Sequence, residues 1–214
     1  HLDLLLDIPL TDSGMPIIDP CDVVPEDLLS FNYMMSRDDF NAGVHFFIDD
    51  YQFERVYKRP DAYVDRLRKF RCAFTPDFSL YRDMPLPMQR WNCYRSRFVG
   101  AYWQQHGLHV IPTLQWADSR SYTFAFDGLP TNSVVAVSTL DCLNDDMAMR
   151  MWINGFEEAV DVLRPSLVLL YGKPIHGYET PCDYRIYDNA NVRRLKWVDV
   201  EHRQVEAVQV AAVE

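Results

Sequence analysis

Asp49 and Asp50 follow the apolar run 44–48, and Asp77 follows the run 72–75. Acidic residues placed just after neighbouring apolar runs suit the carboxyl ends of parallel strands, where working residues line a common crevice. Gathered there, these carboxylates could hold Mg²⁺ or Mn²⁺ through hard oxygen ligands, and a hydrated ion would suit phosphoester or nucleotide chemistry. Asp49 and Asp77 are then the candidate catalytic carboxylates. The competing reading is local, because an Asp after a strand also caps the next helix or organises a turn.

Further groups follow the same logic. Arg90 and Asn92, with Arg95, fall near the start of a predicted helix, where side chains and free N–H groups can receive a phosphate or carboxylate. The alternative is pairing of these arginines with nearby aspartates. Gln115 and Trp116 follow the run 110–114, a place from which an indole can stack on a base or sugar while its neighbours hydrogen-bond, or pack under a loop. Ser138 follows the run 134–137 and offers a hydroxyl, without the GxSxG elbow of a serine hydrolase. Lys173 follows the run 167–171 and could contact an anion, but no glycine-rich Walker loop precedes it and no GxGxxG occurs. His176 is the one histidine on the proposed side and is the candidate general base. His45 and His109 sit toward the starts of their runs and read as structural.

The elements that position these groups are βα units. Five apolar runs alternate with amphipathic stretches, which predicts an α/β fold with a mainly parallel sheet, incomplete or open and barrel-like. A doubly wound open sheet is the alternative. Pro60 opens a first crossover helix extending to Phe70, and a second runs from Pro87 to Gly107, with Trp91, Tyr94, Phe98 and Tyr102 as a core-facing stripe. A fourth connection, capped by Asn144 or Asp145 and stopped by Pro165, carries Trp152, Phe156 and Leu163 on its apolar face. Residues 1–40 are Pro-rich and predict an extended segment packed on the domain, with a short helix around 26–29. Residues 41–200 form the α/β domain, with late strands at 184–187 and 195–200, and 201–214 make a tail or docked helix.

Composition bounds the rest. The chain has 214 residues, 48% of them hydrophobic and 14% aromatic, enough for one sizeable core. Its net charge of −10 argues against nonspecific binding to a nucleic-acid backbone. Five widely spaced cysteines with no CxxC pair suit buried thiols in a reducing cytoplasm rather than a disulfide framework. No apolar stretch approaches the roughly 20 residues that span a bilayer. The chain begins at His1 rather than Met, which suits a trimmed fragment.

The stretches Val44-His45-Phe46-Phe47-Ile48-Asp49-Asp50-Tyr51, Phe74-Thr75-Pro76-Asp77-Phe78-Ser79-Leu80-Tyr81 and Asp83-Met84-Pro85 resemble a domain family of unknown function found in bacteria, phages and other mobile elements. The resemblance continues through Val110-Ile111-Pro112, Trp116, Phe126-Asp127-Gly128-Leu129-Pro130 and Leu169-Leu170-Tyr171-Gly172, over about residues 38–175. It implies a mobile-element setting and carries no activity with it. Two functions are therefore expected: binding of a nucleotide or other anionic ligand, with metal-assisted phosphoester chemistry, or a non-catalytic module docking a host or replication protein. A site should lie off-centre, over the first three run ends.

Overall fold

The computed structural model describes residues 2–4, 7–140 and 142–187. The expected strand at 195–200 and the C-terminal segment 201–214 lie outside the described residues. Two parallel sheets are present. The first has the order β1 (Leu28–Ser30), β2 (Gly43–His45), β3 (Cys72–Phe74), β4 (Val110–Ile111), and the second β5 (Val134–Ser138), β6 (Leu167–Tyr171), β7 (Tyr184–Tyr187).

The two sheets meet at a parallel bridge between Thr113 and Ala136. There the Leu114 N–H donates to the Ala136 carbonyl and the Ala136 N–H to the Pro112 carbonyl, both at 2.8 Å. At the opposite edge the Tyr187 hydroxyl donates to the Pro25 carbonyl at 2.7 Å, and Arg185 to the Glu26 carbonyl at 3.2 Å. These are side-chain bonds and not rungs of a ladder, so the sheet curls toward a barrel and remains open.

The second sheet shows why its sequence reads as unbroken apolar runs. Val134, Ala136, Leu169 and Tyr171 point into the core shared with the first sheet. Val135, Val137, Val168 and Leu170 point the other way, against Trp152, Phe156, Ala159 and Leu163. A parallel strand buried on both faces has no polar alternation to show. The covering helix, Asp146–Leu163, starts at Asp145, whose carboxylate accepts from the Ala148 N–H at 2.6 Å. It ends at Arg164 in the left-handed region, φ 48°, just before Pro165.

In the first sheet the interior is aromatic. Phe46 lies among Phe31, Phe53 and Trp103, and Phe47 against Phe74 and Tyr171. His45 is fully buried, 4.4 Å from the Tyr171 ring centroid across the gap between the sheets, and its Nδ1 accepts from the Phe47 N–H. Burial with no charged partner pushes its pKa down to about 3.

Three expectations change. Residues 26–29 do not form a helix; Leu28–Ser30 is strand β1, paired with Gly43–His45, because a parallel neighbour satisfies backbone groups that so short a helix would leave open. The first crossover helix divides into a 3₁₀ turn, Pro60–Tyr63, and one α-helical turn, Val64–Leu67. The long helix Leu86–Gln105 forms as expected, but its aromatic stripe is not uniformly buried. Trp91 is half exposed, whereas Gln89, Ser96 and Arg97 are among its deepest residues. Arg97 donates to the Ala125 carbonyl, and burial pulls its pKa below the ordinary arginine value. No described helix is long and apolar enough to cross a membrane.

We number the helices α1 (Glu54–Lys58), α2 (Val64–Leu67), α3 (Leu86–Gln105), α4 (Tyr122–Ala125) and α5 (Asp146–Leu163).

Candidate ligand-binding site

A cavity of about 620 Å³ opens at the carboxyl ends of β3, β4 and β5 and is closed on one side by the first turns of α5. Its walls are the loop 77–83, the segment 114–117 and residues of α5, including Met147, Met151 and Trp152. The volume falls within the range usual for small-molecule sites.

The loop wall is fixed from behind by a polar network. The Asp50 carboxylate accepts from both the Ser79 N–H (3.1 Å) and the Ser79 hydroxyl (2.8 Å). Asn92 donates to the Ser79 carbonyl at 2.6 Å, and its own oxygen accepts from Arg95 at 2.6 Å. Arg95 also donates to both oxygens of Glu54, at 2.7 and 2.8 Å, and its guanidinium stacks 3.8 Å from the Phe78 ring centroid. Gln89 holds the Tyr81 and Met84 carbonyls at 3.1 and 2.8 Å. Burial raises the Asp50 pKa, with the Ser79 bonds and the Arg95 charge acting against the rise. Backbone so clamped presents the cavity with a preformed surface.

The α5 wall is held by two indoles. Trp116 donates to the Met151 carbonyl at 3.2 Å, and Trp152 to the Ser138 carbonyl at 2.8 Å. Trp116 lies directly on Gly155, where an added Cβ would come within 2.2 Å of the indole nitrogen. This close approach explains a glycine in mid-helix, where it otherwise costs stability.

Of the residues singled out in the sequence, Asp77, Gln115, Trp116 and Ser138 line the cavity. Asp49, Asp50, Arg90, Asn92, Lys173 and His176 are not part of its lining. Asp50 and Asn92 are used internally, as described above, and Asp49 accepts from Gln52 at 3.4 Å. Arg90 stacks on Phe124, 5.1 Å from the ring centroid. The Lys173 carbonyl accepts from the Thr139 hydroxyl at 2.8 Å while its side chain is exposed, as is His176. Among the described residues no group of three His, Cys, Asp or Glu is placed to hold a metal ion. The expected Mg²⁺ or Mn²⁺ cluster of Asp49, Asp50 and Asp77 is therefore not assembled, because Asp50 is committed to Ser79 on the far side of the loop wall.

Sequence reasoning missed the α5 contribution. Asp145, Met147 and Met151 line the cavity, and Trp152, read only as core, forms part of its wall. The available signal was the cap itself: a helix starting straight after the fourth strand end must place its first turn over that end. Electrostatically, Asp77, Asp83 and Asp145 line the cavity with Arg82, the one cation among its described lining residues. Arg82 meets the Met147 sulfur across the mouth.

An open, mainly parallel α/β protein with a cavity at its strand ends is the class that fold and site define. The chain matches the model of the family described as "Domain of unknown function (DUF4417)" over residues 10–188, and it belongs to that family. It is similar to the Gene 1 protein of Mycobacterium phage L5, 40% identical over 194 residues, which cover 88% of this chain and 84% of that protein. It is also similar to the Gene 1 protein of Mycobacterium phage D29, 38% identical over 162 residues, covering 74% of this chain and 60% of that protein. No solved structure matches the chain.

Proposed function

We propose that this chain binds a small ligand of the nucleoside or nucleotide class in the cavity between the β3–β5 ends and α5. The carrying observation is the cavity itself: about 620 Å³, with thioether and indole groups in its walls and a few convergent polar groups. The balance of lining charges favours recognition through the base over recognition through phosphate, since Arg82 faces three aspartates. Arg90 and Lys173, expected to contact an anion, are turned to other work or to solvent. Metal-assisted phosphoester chemistry is not part of the proposal, because among the described residues no three His, Cys, Asp or Glu side chains are placed to hold an ion.

The test is a thermal-shift and native mass-spectrometry screen with the four ribonucleosides and their monophosphates. A nucleoside should raise the melting temperature, and Ala148→Trp, which fills the cavity from the α5 side, should remove the rise. A shift that survives Ala148→Trp places binding elsewhere and defeats the proposal.

A second reading is supported by one surface. Tyr81, Met88 and Trp91 are 61%, 54% and 47% exposed on the cavity loop and the first turns of α3. Exposed apolar side chains grouped in this way favour docking of a protein partner. Under that reading, Trp91→Glu abolishes a protein complex detected by native mass spectrometry and leaves the nucleoside shift untouched.

A further inference from the structure

The cavity has a buried end and an open one. Leu114, Val137, Cys142 and Trp152 line it and are buried, whereas Arg82 and Met147 line it and are exposed, which puts these two at the mouth. They belong to facing walls. Arg82 comes from the loop after β3 and Met147 from the first turn of α5, 65 residues further on, and the Arg82 guanidinium donates to the Met147 sulfur across the opening.

The backbone beneath each side chain is held. Gln89 holds the carbonyls of Tyr81 and Met84, on either side of Arg82, and the Met84 N–H returns to the Tyr81 carbonyl at 3.0 Å. On the other wall the Asp145 carboxylate accepts from the Ala148 N–H at 2.6 Å, and its carbonyl from the Met149 N–H at 2.9 Å. The contact between the tips is of the opposite kind: a thioether is a weak acceptor, methionine has three rotatable bonds, and water competes for an exposed guanidinium. Where fixed walls meet through loose tips, rotation of side chains opens the route and no loop has to move.

We infer that Arg82 and Met147 form a side-chain gate over the cavity, closed by their mutual contact and opened by rotation, which controls passage of a ligand to the buried end. The inference rests on the cavity being the ligand site and goes beyond it by naming the pair that governs access. Contacts between exposed side chains are weak, so the gate is shut for most of the time but not all of it, and its removal should speed passage about two- to five-fold.

The experiment follows alkylation of Cys142 by iodoacetamide on the whole chain, with sites and rates read by peptide mass spectrometry. Arg82→Ala and Met147→Ala should each raise the Cys142 rate by that factor, while Cys72 and Cys93, buried and not part of this cavity's lining, keep the rates of the unsubstituted chain. The double variant should be no faster than either single one, because each removes the same contact. A Cys142 rate that is unchanged in both variants, or raised in one alone, overturns the gate, as does a double variant whose effect is the product of the two. Equal acceleration of Cys72 and Cys93 marks a loosened fold rather than an opened mouth and also overturns it. Stopped-flow binding of the four ribonucleosides separates the gate from the cavity reading. Association and dissociation should quicken together in both variants, whereas quicker dissociation alone marks Arg82 or Met147 as a ligand contact and overturns the gate. A faster Cys142 with no ribonucleoside bound overturns the nucleoside reading and leaves the gate in place.

Discussion

The strands of the first sheet are two or three residues long and those of the second four or five, so their ladders cannot contribute equally. In the second sheet five successive residue pairs register β5 against β6, and aliphatic faces with one capped helix complete the structure. In the first, the strands give way at once to long loops, and side chains take over the work of holding them. Asp50, Asn92, Arg95, Glu54 and Gln89 do for the loop after β3 what backbone pairing does for β6. Polar residues there are committed to architecture. Gln115, whose amide nitrogen holds the Phe78 carbonyl, stands where the two sheets join.

His45 tests that junction most severely. It stays neutral in the fold until its pKa of about 3, whereas in the unfolded chain it takes up a proton near 6.5. Below pH 6.5 the unfolded state therefore binds more protons, and stability falls as pH falls; the contribution is fully present above 6.5 and lost down to about 3. The total is about 5 kcal/mol. Urea midpoints of the natural chain and His45→Phe, measured from pH 7 to pH 3, should diverge accordingly, and parallel curves would show that His45 is not held neutral between the sheets.

Within the second sheet's layer, Gly155→Ala drives a methyl into Trp116 and should cost about 3 kcal/mol. A changed Trp fluorescence together with a lower denaturation midpoint would mark that cost. A smaller effect is expected for the first sheet's network: Asn92→Ala strands the Ser79 carbonyl and one Arg95 donor, at about 2 kcal/mol. Hydrogen exchange should rise in residues 77–84 rather than across β5 and β6; a uniform rise would erase the contrast between the sheets. Smallest is Asp145→Ala, which removes the α5 cap at about 1 kcal/mol, read from thermal unfolding.

The same contrast explains what the sequence revealed. Strands β5, β6 and β7 were legible because Val134 to Val137, Leu167 to Tyr171 and Tyr184 to Tyr187 are runs long enough to carry a pattern, and α5 because Asp145 and Pro165 bracket an apolar face. β1 was not, since three residues have no period and Leu28 to Ser30 acquire their conformation from β2, a partner with its own sequence. For the site, position after a strand brings Asp77, Gln115, Trp116 and Ser138 to one cavity. Position could not say which way a side chain turns. Asp50 and Asn92 have the right chemistry and are held at the back of the loop, a choice made by Ser79, 29 residues from Asp50 and 13 from Asn92, and by Arg95, one turn along α3 from Asn92.

The bonds from Tyr187 to Pro25 and from Arg185 to Glu26 span 162 and 159 residues. A ribosome adding roughly 5–20 residues per second needs about 8–30 s to make that much chain. Throughout that interval the Pro25 and Glu26 carbonyls must wait for donors not yet synthesised. These contacts across the open edge therefore form only once residues 185 and 187 have been made, and the timetable of translation sets when they can begin.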